Sequence, residues 1–385
     1  MKRTPTLLLT GLLALLAACA PSTTSPSTSI ITPDLSSSIE KVMAETNVPG
    51  AIVGIWKGNT RDVRGFGVAD KQTKQPMRPD MFVRIGSNTK SFTITALLRL
   101  VDQGRVGLDD PVAKYVPGVP NGENITLRQL AEMRSGIPTY TSSVPFYNEW
   151  MKNPARQWTP AELLPFAFSR PALFSPGTFF NYSNTNTILI GMAIEAVTGR
   201  PLGDVVREQV IVPAGLKNTR WPKGNEFPAP HPSGYSEQTP DGNEADVTDW
   251  NPSWGGAAGI MVSTADDLHR WVGELTTGRL LSRESQVQRL KFVPIPGNPG
   301  NVGYGLGVID LNGWIGHNGD LPGFSSTMYR DPDRDLTLIV VTNTDTHVDR
   351  DGDTIPPSAR LAEVITQSVL PDHPYRFPTL PEPPK

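Results

Sequence analysis

The chain has 385 residues, 38% hydrophobic and 19% charged, a composition that supports one large or two medium globular domains. A formal net charge of −3 argues against a nucleic-acid-binding surface, and a single cysteine excludes an intramolecular disulfide. No repeat of solenoid period is evident, and the 38 prolines predict long irregular connections.

The first stretch, MKRTPTLLLTGLLALLAAC, places Lys2 and Arg3 before an apolar run too short for a comfortable membrane span. It closes on Leu16-Ala17-Ala18-Cys19, which resembles the bacterial lipobox. Residues 1–18 are therefore expected to be a lipoprotein signal peptide, with Cys19 lipidated and the chain exported to the outer face of a cell membrane. Residues 19–34, rich in Ser, Thr and Pro, read as a flexible tether. Residues 35–370 read as the folded domain, and residues 371–385, with six prolines, as a tail lying over the surface without regular structure.

Within 35–47, Leu35, Ile39, Val42 and Met43 recur at helical spacing, and Pro49-Gly50 stops the helix. AIVGIWK and RDVRGFGVAD follow, separated by a Gly-Asn pair that predicts a β-hairpin. The helix after Ser87 carries Phe92, Ile94, Leu97, Leu98, Leu100 and Val101 and ends at Gly104. From about 105 to 250 the pattern is mostly helical and proline-rich, including ITLRQLAEMRSG and a longer helix in SNTNTILIGMAIEAVTGRP. After Gly255 come a short strand, GIMVST, and a Thr-capped helix, TADDLHRWVGELTTG. Four strands follow in YGLGVIDL, WIGHNG, GFSSTMYRD and LTLIVVTN, the first two joined by Asn312-Gly313, and an amphipathic helix in PPSARLAEVITQSVL closes the pattern. The fold class is therefore α/β: one antiparallel sheet built from both chain ends, flanked by helices, with an inserted mostly helical region.

Three segments carry candidate chemistry. Ser87-Asn88-Thr89-Lys90 puts a hydroxyl and an amine three residues apart, on one helical face, at a helix N-terminus with spare N–H groups. A serine hydroxyl is a poor nucleophile without a base in reach, and a lysine or a tyrosine can serve. Ser38-Ile39-Glu40-Lys41 fits the same spacing inside the first helix and reads as chance. Tyr182-Ser183-Asn184 lies between a Pro-Gly turn and a helix, and His317-Asn318-Gly319 lies at the end of a strand, facing the loop to the next. The backbone N–H of Asp320 could pair with that of Ser87 as an oxyanion hole. Taken singly, each segment has a plainer reading: a helix cap, a core tyrosine, a histidine in a tight hairpin.

Together, in that order, S-x-x-K, Y-S-N and H-N-G resemble the serine β-lactamase and DD-peptidase superfamily. The likeness is to Streptomyces-type D-alanyl-D-alanine carboxypeptidases and class C β-lactamase-like serine hydrolases. SNTKSFT, PGTFFNYSNTNTILIGMAIEAVTGRPL and GHNGDLPGF carry it, as do LVDQGRVGLDDPVAKYVPG and AAGIMVSTADDL, so it runs from about 35 to 370. The resemblance implies that Ser87 forms an acyl-enzyme and that Lys90 helps deprotonate it. It makes Tyr182 the general base and the leaving-group acid. Asn184 would bond Lys90 and the substrate amide, and His317 would act as a cation or donor orienting Tyr182. Asn318, Gly319, Asp320 and Trp254 would line the substrate site. No cofactor or metal is implied. Expected partners are a small peptide or ester substrate, with β-lactams as further candidates, and a membrane reached through the lipid on Cys19. The leading reading is a membrane-anchored carboxypeptidase-like serine hydrolase. An esterase or β-lactamase on the same scaffold is the alternative, and a non-catalytic envelope protein is a third reading.

Two departures bear on the substrate. Asn318 replaces the usual hydroxyl residue of the third motif, and YGLGVIDL has no arginine to hold a substrate carboxylate. A palmitate feed is expected to label the chain and to leave a Cys19→Ala variant unlabelled; equal label in both would remove the lipoprotein assignment.

Overall fold

The computed structural model describes residues 29–379, together with Met1 and Pro381. Cys19, the signal segment and most of the expected tether lie outside the described residues.

The main sheet has eight strands: β1 (Gly50–Lys57), β2 (Thr60–Gly67), β3 (Val293–Pro294), β4 (Val302–Tyr304), β5 (Ile309–Leu311), β6 (Trp314–Leu321), β7 (Phe324–Asp331) and β8 (Leu336–Thr342). Their order across the sheet is β2-β1-β8-β7-β6-β5-β4-β3, antiparallel throughout. The N-terminal hairpin joins the C-terminal strands where β1 pairs with β8, Ala51 opposite Thr342 and Lys57 opposite Leu336. This is the sheet expected from both chain ends.

The side-chain period of two explains why β1 and β8 are apolar on both faces. Ala51, Val53 and Ile55, with Leu336, Leu338 and Val340, pack against Leu35 and Ile39 of helix α1 (Pro33–Glu45) and Leu361 and Ile365 of helix α6 (Pro357–Val369). The intervening Ile52, Trp56, Ile339 and Val341 face the other way, into a cluster with Phe92 of helix α2 (Thr89–Asp102) and Leu268 and Trp271 of helix α5 (Ala265–Thr277). Phe92 stacks on Trp271 with ring centroids 4.1 Å apart. Helix α3 (Asn184–Thr198) ends at Gly199 with φ of 68°, the left-handed stop its sequence announces. The short helix α4 (Gly256–Gly259) packs on α2, and the Thr93 hydroxyl bonds the Ala257 carbonyl at 2.8 Å.

One correction concerns His317-Asn318-Gly319, which lies within β6 rather than at its end. There the strand passes close to the turn carrying Ser87. A Cβ on Gly319 would stand 2.1 Å from the Ile85 carbonyl oxygen and 2.8 Å from the Ser87 nitrogen, so only glycine allows this approach. Gly319→Ala is expected to destabilise the fold by about 1–3 kcal/mol through overpacking. Gly273→Ala, in the interior of α5 where a Cβ meets nothing within 4 Å, is expected to be neutral or to stabilise by up to about 1 kcal/mol. Urea denaturation of the two variants checks both signs.

Candidate active site

The strand Val83–Arg84 pairs with Val262–Ser263 and leads into a single 3-10 turn, Gly86–Asn88, that runs on as α2. Gly86 at φ of 49° makes the bend. No side chain caps the start of α2, so Ser87 is not held as a helix cap. Its hydroxyl instead accepts a hydrogen bond of 2.8 Å from Lys90 Nζ, the contact that the three-residue spacing predicts. Lys90 also donates to the Ala258 carbonyl of α4 at 2.9 Å.

Lys90 is fully buried, and no carboxylate bonds it among the described residues. Burial without a counter-ion penalises the ammonium, so its pKa falls well below the ordinary lysine value. Tyr182 precedes α3 and turns its ring toward the amine, with Lys90 Nζ 4.8 Å from the ring centroid. Burial pushes the Tyr182 phenol above its usual pKa; the Ser87 hydroxyl works the other way, and the charge of Asp320 adds to the rise. Both directions favour a neutral amine beside a neutral phenol.

The oxyanion-hole expectation depends on strand register. β5 pairs β6 only at Trp314–Gly316, so the β6 edge beyond is open to Ser87. Leu321 and Phe324 flank the two-residue turn Pro322-Gly323 that joins β6 to β7. Hydrogen-bonded and non-bonded pairs alternate from there, which turns the N–H of Asp320 away from β7 and toward the open edge. A Cβ on Gly86 would stand 2.8 Å from the Asp320 nitrogen. The N–H groups of Ser87 and Asp320 therefore border one small space, as an oxyanion requires. The Asp320 carboxylate is bonded to His347, whose Nε2 lies 3.2 Å from Oδ2. Hydrogen bonding to that carboxylate raises the His347 pKa against the cost of burial.

His317 departs from its expected part. Its Nδ1 lies 2.6 Å from the carbonyl oxygen of its neighbour Asn318, which fixes the proton on Nδ1. Nε2 is then an acceptor and takes the Tyr304 hydroxyl at 3.0 Å. Burial, with Lys90 nearby, lowers the His317 pKa to about 3. His317 is therefore a neutral, buried ring whose centroid is 6.1 Å from that of Tyr182, not a cation bonded to it. Asn184 also departs: its side chain donates to Thr141 at 3.2 Å instead of bonding Lys90. Asn318 and Asp320 line a cavity of about 470 Å³ that opens from Ser87 and Tyr182. Trp254 lines a second, of about 140 Å³, with Tyr140 and Leu321. Its carbonyl also accepts the Tyr140 hydroxyl at 2.6 Å, so it has a structural part as well. Ser87, Asn184 and Asp320 border both cavities.

Tyr304, His347 and Arg350, all in the larger cavity, were not legible in the sequence. Tyr304 is an aromatic in a buried strand, like any core tyrosine. His347 and Arg350 reach the cavity only through the fold of the segment after β8.

A buried amine on a serine, a phenol beside them and two converging N–H groups make a centre for acyl transfer through serine. Residues 35–357 match the Beta-lactamase family, and the chain belongs to it. Its sheet and flanking helices match the fold of that family's solved members. Among solved structures it is similar to a D-stereospecific amidohydrolase from Streptomyces sp., with 34% identity, TM-score 0.76, and coverage of 88% of this chain and 98% of that one. It is also similar to the D-amino acid amidase of Ochrobactrum anthropi SV3 complexed with D-phenylalanine, with 28% identity, TM-score 0.76, and coverage of 88% and 100%. A D-aminopeptidase of Cereibacter sphaeroides is 29% identical over 309 residues, 77% of this chain and 57% of that protein. The chain thus spans about three-fifths of the length of the curated relatives it matches.

Two outcomes test the electrostatics. Activity is expected to fall as pH drops through the depressed pKa of Lys90, because protonation removes the base, and Lys90→Arg is expected to lower kcat/KM by about 10²–10⁴. A pH–rate profile of both proteins reads this. Because His317 titrates lower in the folded state, the unfolded state binds more protons below pH 6.5, and stability drains from there down to about pH 3. His317→Gln is expected to flatten that part of the stability–pH curve in chemical denaturation.

Proposed function

We propose that the protein hydrolyses amide bonds of D-amino-acid amides or short peptides through an acyl-enzyme on Ser87. The observation that carries this is the buried Lys90–Ser87–Tyr182 cluster at the junction of two cavities, with no carboxylate bonded to Lys90 among the described residues. An amine leaving group must be protonated as it departs, and a phenol with a raised pKa keeps a proton for it. An ester needs that acid far less. The D-specific names of the structural relatives support the stereochemistry.

Lys90 takes the Ser87 proton as Oγ attacks the carbonyl, and the N–H groups of Ser87 and Asp320 hold the oxyanion. Tyr182 gives its proton to the departing amine. Tyr182 lines only the larger cavity, so the amine leaves there and the acyl side chain occupies the smaller one beside Trp254. The ammonium and phenolate left behind stabilise each other. Water then attacks the acyl-enzyme, losing its proton to Tyr182, and Lys90 returns the other proton to Ser87.

The carboxypeptidase reading draws less support. A free C-terminal carboxylate needs an available cation, yet His347 is bonded to Asp320 and Arg350 to Glu363 and Asp353. The envelope location remains a proposal resting on the lipobox at Cys19. D-phenylalanine amide is expected to be cleaved at least about tenfold faster than its L-enantiomer. Intact mass is expected to show an acyl adduct that is absent in Ser87→Ala. Turnover of p-nitrophenyl esters without amides would make it an esterase, rapid turnover of a fluorescent penicillin a β-lactamase, and no adduct a binding protein.

A further inference from the structure

The C-terminal segment was expected to lie over the surface without regular structure, yet its described part is built into the wall of the active-site cavity. Phe377, Pro378 and Thr379 line the same cavity as Ser87 and Tyr182. The segment is anchored before it arrives there. Tyr375 is 1% exposed, its ring centroid lies 5.1 Å from that of Tyr329 in β7, and its N–H bonds the Thr366 hydroxyl at 3.0 Å.

At the cavity the segment is held from two sides. On one side the Phe377 N–H donates to Glu363 Oε1 at 3.0 Å, and its carbonyl accepts from Arg350 Nη1 at 3.0 Å. Arg350 and Glu363 bond each other at 2.7 Å and are 4% and 3% exposed, so an ion pair shielded from solvent grips the Phe377 backbone. On the other side Asn298 clasps Thr379 by a reciprocal pair, Nδ2 to the Thr379 carbonyl at 2.7 Å and the Thr379 N–H to Oδ1 at 2.9 Å. Buried charge-assisted bonds cost more to break than surface contacts, and the segment has them at Phe377.

We infer that the Phe377–Thr379 segment is a fixed wall of the leaving-group cavity that sets how large a leaving group the enzyme accepts. The inference rests on the reading that the amine leaves on the Tyr182 side. A wall of irregular backbone latched by Asn298 can be moved outward without touching Ser87, Lys90 or Tyr182. Truncating Phe377 or releasing Thr379 extends the cavity along the path of the departing group. Specificity for leaving-group size would then lie in a stretch of chain remote in sequence from the three catalytic segments.

The test uses acetate esters of increasing alcohol size, methyl, phenyl and biphenylyl, on the full chain and on Phe377→Ala and Asn298→Ala. A common acetyl group keeps the acyl side constant, and comparison with the unmodified protein cancels the intrinsic reactivity of each ester. The ratio of kcat/KM for the biphenylyl over the methyl ester is expected to rise about tenfold in either variant. An unchanged ratio in a variant that keeps its thermal midpoint, or a parallel loss on all three esters, overturns the proposal. Should Phe377→Ala fail to fold, Asn298→Ala, whose substitution lies in an exposed loop contact, decides the matter. Because the probes are esters, a shifted ratio with no amide turnover sustains the wall and defeats the amide reading, whereas amide turnover with an unshifted ratio does the reverse.

Discussion

The site depends on one buried amine without a counter-ion. Lys90 lies in the first turn of α2, fully enclosed, and among the described residues it bonds only the Ser87 hydroxyl and the Ala258 carbonyl. An ammonium there would face the desolvation penalty without a carboxylate to offset it, so the amine is held as a base. A carboxylate within reach would stabilise the charged form and extinguish that basicity. Burial by α4, by the start of α3 and by β6 is thus the means by which an ordinary lysine becomes able to activate an ordinary serine.

The rest of the architecture serves that enclosure and the approach of β6 to it. Glycines at 86 and 319 let two backbones meet where any side chain would collide. The open edge of β6, left unpaired beyond Gly316 because β5 is short, supplies an N–H that would otherwise be spent on the sheet. The Asp320 carboxylate beside that N–H would oppose a developing oxyanion. Its Oδ2 is bonded to His347, a residue from the segment after β8, and that bond raises the His347 pKa. The carboxylate thus has a hydrogen-bonding partner on the side of that segment.

His317 shows how a motif position and its protonation state are separate matters. In the sequence it stands where a cationic group of the third motif is expected. In the fold it is sealed from solvent, its Nδ1 proton is committed to its own neighbour, and Tyr304 occupies its other nitrogen. It shapes the wall beside Tyr182 as a neutral ring. Each of these groups is also a term in stability, since the same burial that tunes Lys90 and His317 makes the folded state intolerant of protonating them.

The amino-acid sequence by itself determined the elements and their pairing. The strands β1 and β8 read as apolar runs bounded by turn residues, Asn312-Gly313 and Gly58-Asn59 close hairpins, and Gly199 stops α3, because these depend on local composition and backbone preference. It also put Ser87 and Lys90 on one helical face, where a hydroxyl and an amine three residues apart can meet. What only the tertiary structure decided were the partners that arrive from far along the chain: His347 on Asp320, Tyr304 on His317, Thr141 on Asn184, and the Arg350–Glu363 grip on Phe377. Such contacts have no local periodicity, and the pKa of a buried group is set by everything that excludes water from it. Nothing within one segment reveals that exclusion.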